Sequence, residues 1–370
     1  MPEISVAHLT SAHQRNDTRI FLKMCSSLAI LGYKVSLVVA DEKSDEFKNG
    51  VSIFNVGPRS GGRLSRMTKT VAQVLKKAIE LDCDIYHLHD PELIPAGLKL
   101  KKLGKKVIFD AHEDLPKQLL GKPYLIPPVK IALAKVFELF ERWACSKFNM
   151  IIAATPSIHN KFLKINPNTV NINNFPLLDE LANTSNWMDK ENEVVYVGGI
   201  SKVRGIEEII SAMNYTDKVR LNLVGQFNEK ALEEKVKNHK AWSKVNEFGF
   251  LNRDQVNDVL AKSKAGLVTF LPLPNHIDSQ PNKMFEYMSA GLPIIVSNFP
   301  LWREIVDDNQ CGLCVDPIST IAIGDSIQYL IEHPKEAEQM GKNGRKAIEE
   351  KYNWSIEERK LFEAYRKLLH

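Results

Sequence analysis

Cysteine is scarce in this chain and comes in an odd number: Cys25, Cys83, Cys145, Cys311 and Cys314, five in 370 residues. A scattered, odd set excludes a disulfide framework and points to a reducing, cytoplasmic setting. The CxxC of Cys311 and Cys314 has no second pair and no histidine nearby, and with Leu313 and Val315 around it reads as buried strand-end residues, not as a metal site. The leading MPEISVAHL shows no basic start before an apolar run, so no signal peptide is expected, and no apolar stretch is long enough to span a bilayer. A strong excess of one charge is missing too. The net charge of +4 is far from the dense basic patches, interleaved with aromatics, of a nucleic-acid binder. Short-period repeats and low-complexity tracts are absent. What is present, 44% hydrophobic and 25% charged residues, is the composition of an ordinary globular protein, long enough for two domains.

The most informative stretch is DSQPNKMFEYMSAGLPIIVS, Asp278 to Ser297. Pro281 fits a first helical turn, Gly291 and Pro293 end the helix, and Ile294, Ile295 and Val296 continue as a buried strand. Asn282, Lys283 and Glu286, three and four apart, share one face. A helix N-terminus with a lysine one turn in suits a diphosphate, and a carboxylate further along accepts hydrogen bonds from sugar hydroxyls. A nucleotide sugar needs both. The plain alternative is a surface ion pair of Lys283 with Glu286.

Around this stretch strands and helices alternate. Strand Ile4–Leu9, helix Thr18–Leu31 and strand Val35–Ala40 spell a βαβ unit. A helix over 64–81, strand 85–88, a helix over 93–103 and strand 106–110 continue the pattern. Ligands of such sheets sit beyond the carboxyl ends of the strands. That rule singles out His13, Arg15 and Arg19 after the first strand, His89 and Asp90 after the third, and His112 and Glu113 after the fourth. Asp82 and Asp84 make a DxD but precede their strand, so they read as turn residues. From Pro127 to Cys145 a helix carries an apolar seam flanked by Lys130, Lys135 and Arg142; such a stripe either packs on its own sheet or lies on a membrane. Arg59, Arg63, Arg66 and Lys69 add cations to this half. NINNFP and the polar run Asp179–Asn192 read as a linker. Strand 193–197 then leads into GGISKVRG, where Gly198 and Gly199 let backbone approach a ligand and Lys202 and Arg204 bring positive charge to the next helix start.

Taken together, TSAHQRNDTRIF, HLHDPELIPAG, FDAHEDLP, VGGISKVRG, FGFL and PNKMFEYMSAGLPIIVS resemble the family 4 glycosyltransferases of GT-B fold, which are retaining and use nucleotide sugars. The resemblance spans essentially the whole chain. It implies an α/β protein of two Rossmann-like, doubly wound domains facing a cleft: residues 1–178 acceptor-binding, 192–352 donor-binding, and 353–370 a helix crossing back to the first domain. Glu286 matches the family's glutamate on the ribose hydroxyls. Asp278 stands, one methylene shorter, where a glutamate contacts the donor sugar. Arg204 matches the lysine of the phosphate-binding turn, and Gly199 replaces an arginine there, so that Lys202 or Lys283 supplies the missing cation. His112 resembles the first-domain histidine on the donor sugar, and Phe250 a residue beside the base; Gly198, Asn282 and Glu286 complete the donor set. His13, Arg15 and Arg19, where many members carry glycines, are expected to meet an anionic acceptor or the phosphates. The implied enzyme is a cytoplasmic hexosyltransferase without a metal or other cofactor. It transfers from a nucleoside diphosphate sugar, with UDP the expected carrier, to a lipid-linked or saccharide acceptor in surface polysaccharide synthesis, in peripheral contact with an anionic membrane. A sugar-nucleotide 2-epimerase and a non-catalytic nucleotide-sugar binder share the architecture and stay open.

Overall fold

The computed structural model describes residues 4–58, 65–121, 126–178, 180–181 and 186–369, apart from the Arg66 side chain. Arg59 and Arg63, expected at a membrane, lie outside the described residues. The chain forms two compact units, residues 1–174 together with the C-terminal residues from Ile356, and Phe175–Ser355.

The first unit holds strands β1 Ser5–Leu9, β2 Lys34–Val39, β3 Glu46–Lys48, β4 Val51–Asn55, β5 Ile85–Leu88, β6 Lys106–Ala111, β7 Met150–Ala153 and β8 Thr169–Asn171. They form one sheet in the order β3-β4-β2-β1-β5-β6-β7-β8. Every pair is parallel except β3 with β4. This antiparallel hairpin corrects the sequence reading, which passes over it, so His89 and Asp90 follow the fifth strand and His112 the sixth. Its signal is Asn49-Gly50: both residues have positive φ, 51° and 75°, as a two-residue turn between right-twisted strands requires. The expected first helix is also split. Thr18–Cys25 is wound as a π-helix and Ser26–Ile30 as an α-helix, with the Asp17 carboxylate capping the amides of Arg19 and Ile20.

The second unit holds β9 Glu193–Val197, β10 Arg220–Val224, β11 Val245–Gly249, β12 Ala265–Val268, β13 Ile294–Ser297 and β14 Gly312–Val315, all parallel, in the order β11-β10-β9-β12-β13-β14. Its central strands are buried on both faces, as the unbroken apolar run Ile294–Val296 requires. Helix Asn282–Ser289 starts one residue later than expected: Pro281 has extended ψ (128°) and stands just outside the helix.

Each sheet has a point where the strand order turns. The chain leaves β1 toward β2 on one side and returns to β5 on the other; it leaves β9 toward β10 and returns to β12. Connections at such a point diverge and open a crevice at the strand exits. The loops carrying His13 and Asp90 belong to the first crevice, those carrying Gly198 and Phe270 to the second.

Candidate functional site

In the second unit the loop after β9 is built by contacts that only glycine permits. Gly198 has φ 122°, and a Cβ there would lie 3.2 Å from Lys283 Nζ. Gly205 has φ 73°, and a Cβ would lie 2.0 Å from the Thr269 carbonyl oxygen, so the short turn Lys202–Arg204 closes directly onto the exit of β12. Arg204 Nη1 donates to the Gly199 carbonyl at 3.1 Å, and Tyr196 Oη donates to the same oxygen at 2.8 Å. Lys283, from helix Asn282–Ser289, sets its ammonium 3.6 Å from the centre of the Tyr196 ring. The Phe270 ring lies 5.4 Å from Lys283 Nζ and 5.7 Å from the Arg204 guanidinium.

Lys283 is buried, and its Nζ has no hydrogen-bond partner among the described residues. Burial, and then the charge of Arg204, push its pKa well below the usual lysine value, with Glu286 pulling the other way. Two aromatic faces and a second cation are poor company for an ammonium, because cation–π attraction recovers only part of the lost hydration. An anion held beside Arg204 and Lys283 would make good the rest. This is the chemistry of a phosphate seat, and Lys283 is not paired with Glu286 as the plain alternative had it.

Glu286 instead accepts from Arg253 Nη1 at 3.0 Å, and Arg253 also holds Glu180 at 2.8 Å. Arg253 opens the helix Arg253–Lys262 that the sequence predicts but is not among the expected site residues; the capping box of Asn252 with Gln255 fixes where that helix starts. Asn282 and Lys202 are exposed at their helix starts, and Phe250 is 76% exposed at the end of β11. Asp278 is half-buried after the short helix Pro274–Ile277. Next to it His276, also missed, packs against Phe270 at 5.1 Å, and burial lowers its pKa. A cavity of about 390 Å³ elsewhere in this unit is lined by Glu191, Glu193, Asp258 and Lys262 among others, the wrong charge for a diphosphate.

In the first unit two carboxylates organise the strand exits. Asp90 accepts from the Ser11 amide at 2.6 Å and the Thr10 hydroxyl at 2.8 Å, and pairs with His13 Nδ1 at 2.9 Å. Burial acts to raise the Asp90 pKa, but His13 and these donors outweigh it and hold the carboxyl well below its usual range. Asp110, which the sequence reading used only to end a strand, is fully buried and accepts two hydrogen bonds from Arg19, at 2.6 and 2.9 Å, and one from His89 at 3.0 Å. His112 stands 3.5 Å from it and meets the His13 ring edge-on at 5.1 Å. Burial alone lowers both of these histidines; Asp90 and Asp110 reverse the shift, so His13 and His112 hold a proton to higher pH than usual.

Two expectations are corrected here. Arg15 makes a two-pronged bond to Asp41 at 2.7 Å and reaches Glu46 and the Ser44 carbonyl, so it ties β2 to the hairpin. Arg19 is 6% exposed and spent on Asp110 and the Ile172 carbonyl; only its Nη1 has no partner among the described residues. Neither is a loose surface cation waiting for an acceptor. His13 and His112 remain at the crevice.

Behind this layer His8, His87 and His89 stack across β1 and β5, where His8 pairs with His87 in register. With Asp110 as acceptor, His89 donates from Nδ1 and takes a hydrogen bond at Nε2 from His8 at 2.8 Å. His87 Nδ1 meets the Tyr365 hydroxyl of the C-terminal helix at 2.8 Å. One nitrogen of each ring lies within 4.8 Å of the others. The rings of His89 nevertheless lie 15° and 23° from parallel with those of His8 and His87, so the in-plane lone pairs do not converge on one ion. Asp84 caps the Ser5 amide at the opposite end of the sheet, with Asp82 beside it in a left-handed turn. Cys311 and Cys314 are thiols whose pKa burial pushes up to about 12 and about 11, away from the thiolate that metals bind.

Two family models match the chain: "Glycosyltransferase Family 4" over residues 18–172 and "Glycosyl transferases group 1" over 179–347. An uncharacterized glycosyltransferase of Methanocaldococcus jannaschii is 22% identical over 347 residues, 87% of each chain. A capsular polysaccharide biosynthesis glycosyltransferase of Staphylococcus aureus is 24% identical over 340 residues, 80% of this chain and 85% of its own. Among solved structures, sucrose-phosphate synthase from Thermosynechococcus elongatus superposes with TM-score 0.82 at 17% identity over 99% of both chains. An Anabaena protein in complex with UDP and glucose gives TM-score 0.76 at 14% identity, over 99% of this chain and 100% of its own. At those identities the structural likeness shows the fold, and the family models carry the membership: this chain belongs to glycosyltransferase family 4, the group 1 glycosyl transferases, and is a retaining enzyme of GT-B fold that uses nucleotide sugars.

Proposed function

We propose that this enzyme moves a sugar from a UDP-sugar to a lipid-linked or saccharide acceptor in surface polysaccharide synthesis, at the inner face of the cell membrane. The observation that carries the donor side is the pair Arg204 and Lys283 on the Gly198–Gly199 turn, two cations with an unsatisfied ammonium between aromatic faces. On this reading they bind the diphosphate with the amides at Gly198 and Gly199 and the start of helix Asn282–Ser289. Lys202 adds charge at the rim, Glu286 accepts the ribose hydroxyls, Asn282 and Phe250 flank the nucleoside, and Asp278 meets the sugar. Residues 192–352 are then the donor domain and 1–178 the acceptor domain, with His13 and His112 as its polar contacts.

Departure of the nucleoside diphosphate builds charge on the β-phosphate, and retention without an evident nucleophile suggests attack on the face that the leaving group vacates. The side chains then work by electrostatic stabilisation and orientation. Uridine is supported by the similar Anabaena protein solved with UDP and glucose, and the pathway by the capsular relative. No helix among the described residues is long and apolar enough to cross a membrane, so contact with the bilayer is peripheral in this proposal.

A thermal-shift comparison of UDP, GDP and ADP tests the donor. A nucleotide at a hundred times its dissociation constant stabilises by about 2.7 kcal/mol, and UDP is expected to give the largest shift. A larger shift with GDP or ADP would replace uridine in this proposal, and release of an isomerised sugar nucleotide without acceptor would favour the epimerase.

A further inference from the structure

The loop from Phe270 to Ser279 is anchored along its whole length. At its start the Leu271 amide donates at 3.1 Å to the carbonyl of Val203, the residue between Lys202 and Arg204, and Ser297 Oγ donates to the Phe270 carbonyl at 2.7 Å. Pro272 and Pro274 lock two of its φ angles. At its end Trp302 Nε1 donates to the Ser279 carbonyl at 2.6 Å, from a fully buried ring that also packs on Phe270 at 5.6 Å. His276 sits inside this frame. Its amide donates to the Leu273 carbonyl at 2.8 Å, and its own carbonyl accepts from the amide and the hydroxyl of Ser279 at 3.0 and 2.8 Å. With its ring against Phe270, the imidazole is held in place before any ligand binds.

The same frame fixes the tautomer. Nδ1 of His276 lies 3.0 Å from the Leu271 carbonyl oxygen, and a carbonyl only accepts, so Nδ1 carries the proton. In the neutral ring Nε2 is then an acceptor. Burial pushes the His276 pKa down; the Leu271 carbonyl opposes this and the charge of Arg204 adds to it, so the neutral ring is favoured. Nε2 has no hydrogen-bond partner among the described residues. A histidine that only closed this turn would use Nδ1 alone. A diphosphate offers only acceptors and cannot pair with Nε2, whereas a hydroxyl can. Glu286, proposed for the ribose, is held by Arg253, while His276 shares the Phe270 ring with Arg204 and stands two residues before Asp278. The hydroxyls left for it are those of the sugar.

A second observation points to the same ligand. Buried polar atoms are normally hydrogen-bonded. Along 269–283, Thr269 Oγ1, Gln280 Oε1 and Lys283 Nζ are buried without a partner among the described residues. A ligand with hydroxyls at one end and phosphate oxygens at the other supplies partners to both kinds of atom.

We propose that His276 is a specificity residue for the donor sugar, its Nε2 accepting a hydrogen bond from one hydroxyl of the sugar that is transferred. The sugar then carries a free hydroxyl at that carbon. A deoxy sugar leaves the lone pair unmatched there, and a carboxylate faces it with negative charge, so both are disfavoured. This contact deepens the donor reading proposed above and rests on it.

Calorimetry with UDP, UDP-glucose, UDP-galactose and UDP-N-acetylglucosamine separates a sugar contact from a structural role; the corresponding sugar nucleotides of GDP or ADP take their place if that base gives the larger thermal shift. The sugar nucleotide that the wild type holds most tightly should bind His276→Ala about tenfold more weakly, while the bare nucleoside diphosphate binds both proteins within about twofold. His276→Gln, which can bring an amide oxygen to the place of Nε2, should recover part of the loss. Monodeoxy forms of the same sugar nucleotide then identify the hydroxyl: one of them should lose about tenfold with the wild type and nothing further with His276→Ala. Equal losses for the bare nucleotide and the sugar nucleotide would make His276 a support of the phosphate turn. Losses that simply add at every hydroxyl would mean that it touches none, and either result overturns the proposal. A folded wild type that binds none of these nucleotides would remove the donor site itself, and this contact with it.

Discussion

At the scale of single residues, Lys283 is the most consequential side chain, because its ammonium is buried without a hydrogen-bond partner among the described residues, as the proposed phosphate seat requires. Its pKa is lowered in the folded protein, so the charged form is penalised. The sign follows: the penalty is complete below the folded pKa and is relieved as pH rises from there toward the ordinary lysine value of 10.5, so stability should rise with pH in that window. Lys283→Met should therefore stabilise the ligand-free protein, by on the order of 1 kcal/mol in denaturant titration, while removing most of the nucleotide-induced shift. A destabilised Lys283→Met protein would show that the ammonium has a partner in solution. For turnover, Arg204→Ala and Lys283→Ala at saturating donor are each expected to lose on the order of 10² to 10³, as for a lost oxyanion donor. Near wild-type rates would mean that other groups neutralise the leaving phosphate. Glu286 offers a separate handle. If it accepts the ribose hydroxyls as proposed, with hydrogen bonds each worth about 1.5 to 3 kcal/mol, Glu286→Ala should bind nucleotide at least tenfold more weakly by calorimetry. Arg253 remains anchored by Glu180 in that variant, so unchanged affinity in a folded protein would refute the ribose contact.

At the scale of elements, β1, β5 and the residue that follows β5 bring three buried histidines together, and this makes the first unit sensitive to acid. Burial lowers the pKa of His8, His87 and His89, so all three fold neutral. Below about pH 6.5 the unfolded chain binds protons that the folded one refuses, which costs up to about 1.4 kcal/mol per pH unit for each histidine until the folded pKa is reached. His13 and His112 have raised values and act in a different window: their stabilisation is complete below 6.5 and fades as pH climbs through their folded pKa. The melting temperature is therefore expected to drop between pH 6.5 and 5, and less steeply in His8→Gln. A flat profile there would mean that the stack is charged. The Tyr365 hydroxyl on His87, the Glu357 carboxylate on the Asn173 amide and the Leu368 carbonyl on Lys106 tie the last helix to this same unit.

At the scale of the whole molecule, the cations proposed for the leaving group all belong to the second unit, so they are organised before an acceptor binds. Metal is then dispensable in the proposal, and transfer measured in excess EDTA should match the untreated rate. Abolition by EDTA with rescue by manganese or magnesium would show that an ion carries part of that work.

The alternation of apolar strands with amphipathic helices was enough to read two doubly wound halves from the sequence, since burial on both faces forces unbroken runs such as Ile294–Val296 and period 3.6 marks the helices between. The glycine turn at Gly198, the helix that carries Lys283 and the polar strand exits at His13 and His112 were legible too, because each depends on a local pattern. The Asn49-Gly50 hairpin has a local signal as well, a dipeptide that takes positive φ at both residues. Tertiary structure alone decided the partners. Arg15 and Arg19 look like free cations in a polar loop, yet they are consumed by Asp41 and Asp110, from 26 and 91 residues away. Lys283 is three residues from Glu286 but turns to Tyr196 and Arg204, while Glu286 takes Arg253, and His87 finds Tyr365 from 278 residues on. Spacing along a helix or strand limits which side chains share a face; which charge meets which is set by packing between segments far apart in the chain, where desolvation makes the choice of partner worth more than any local preference.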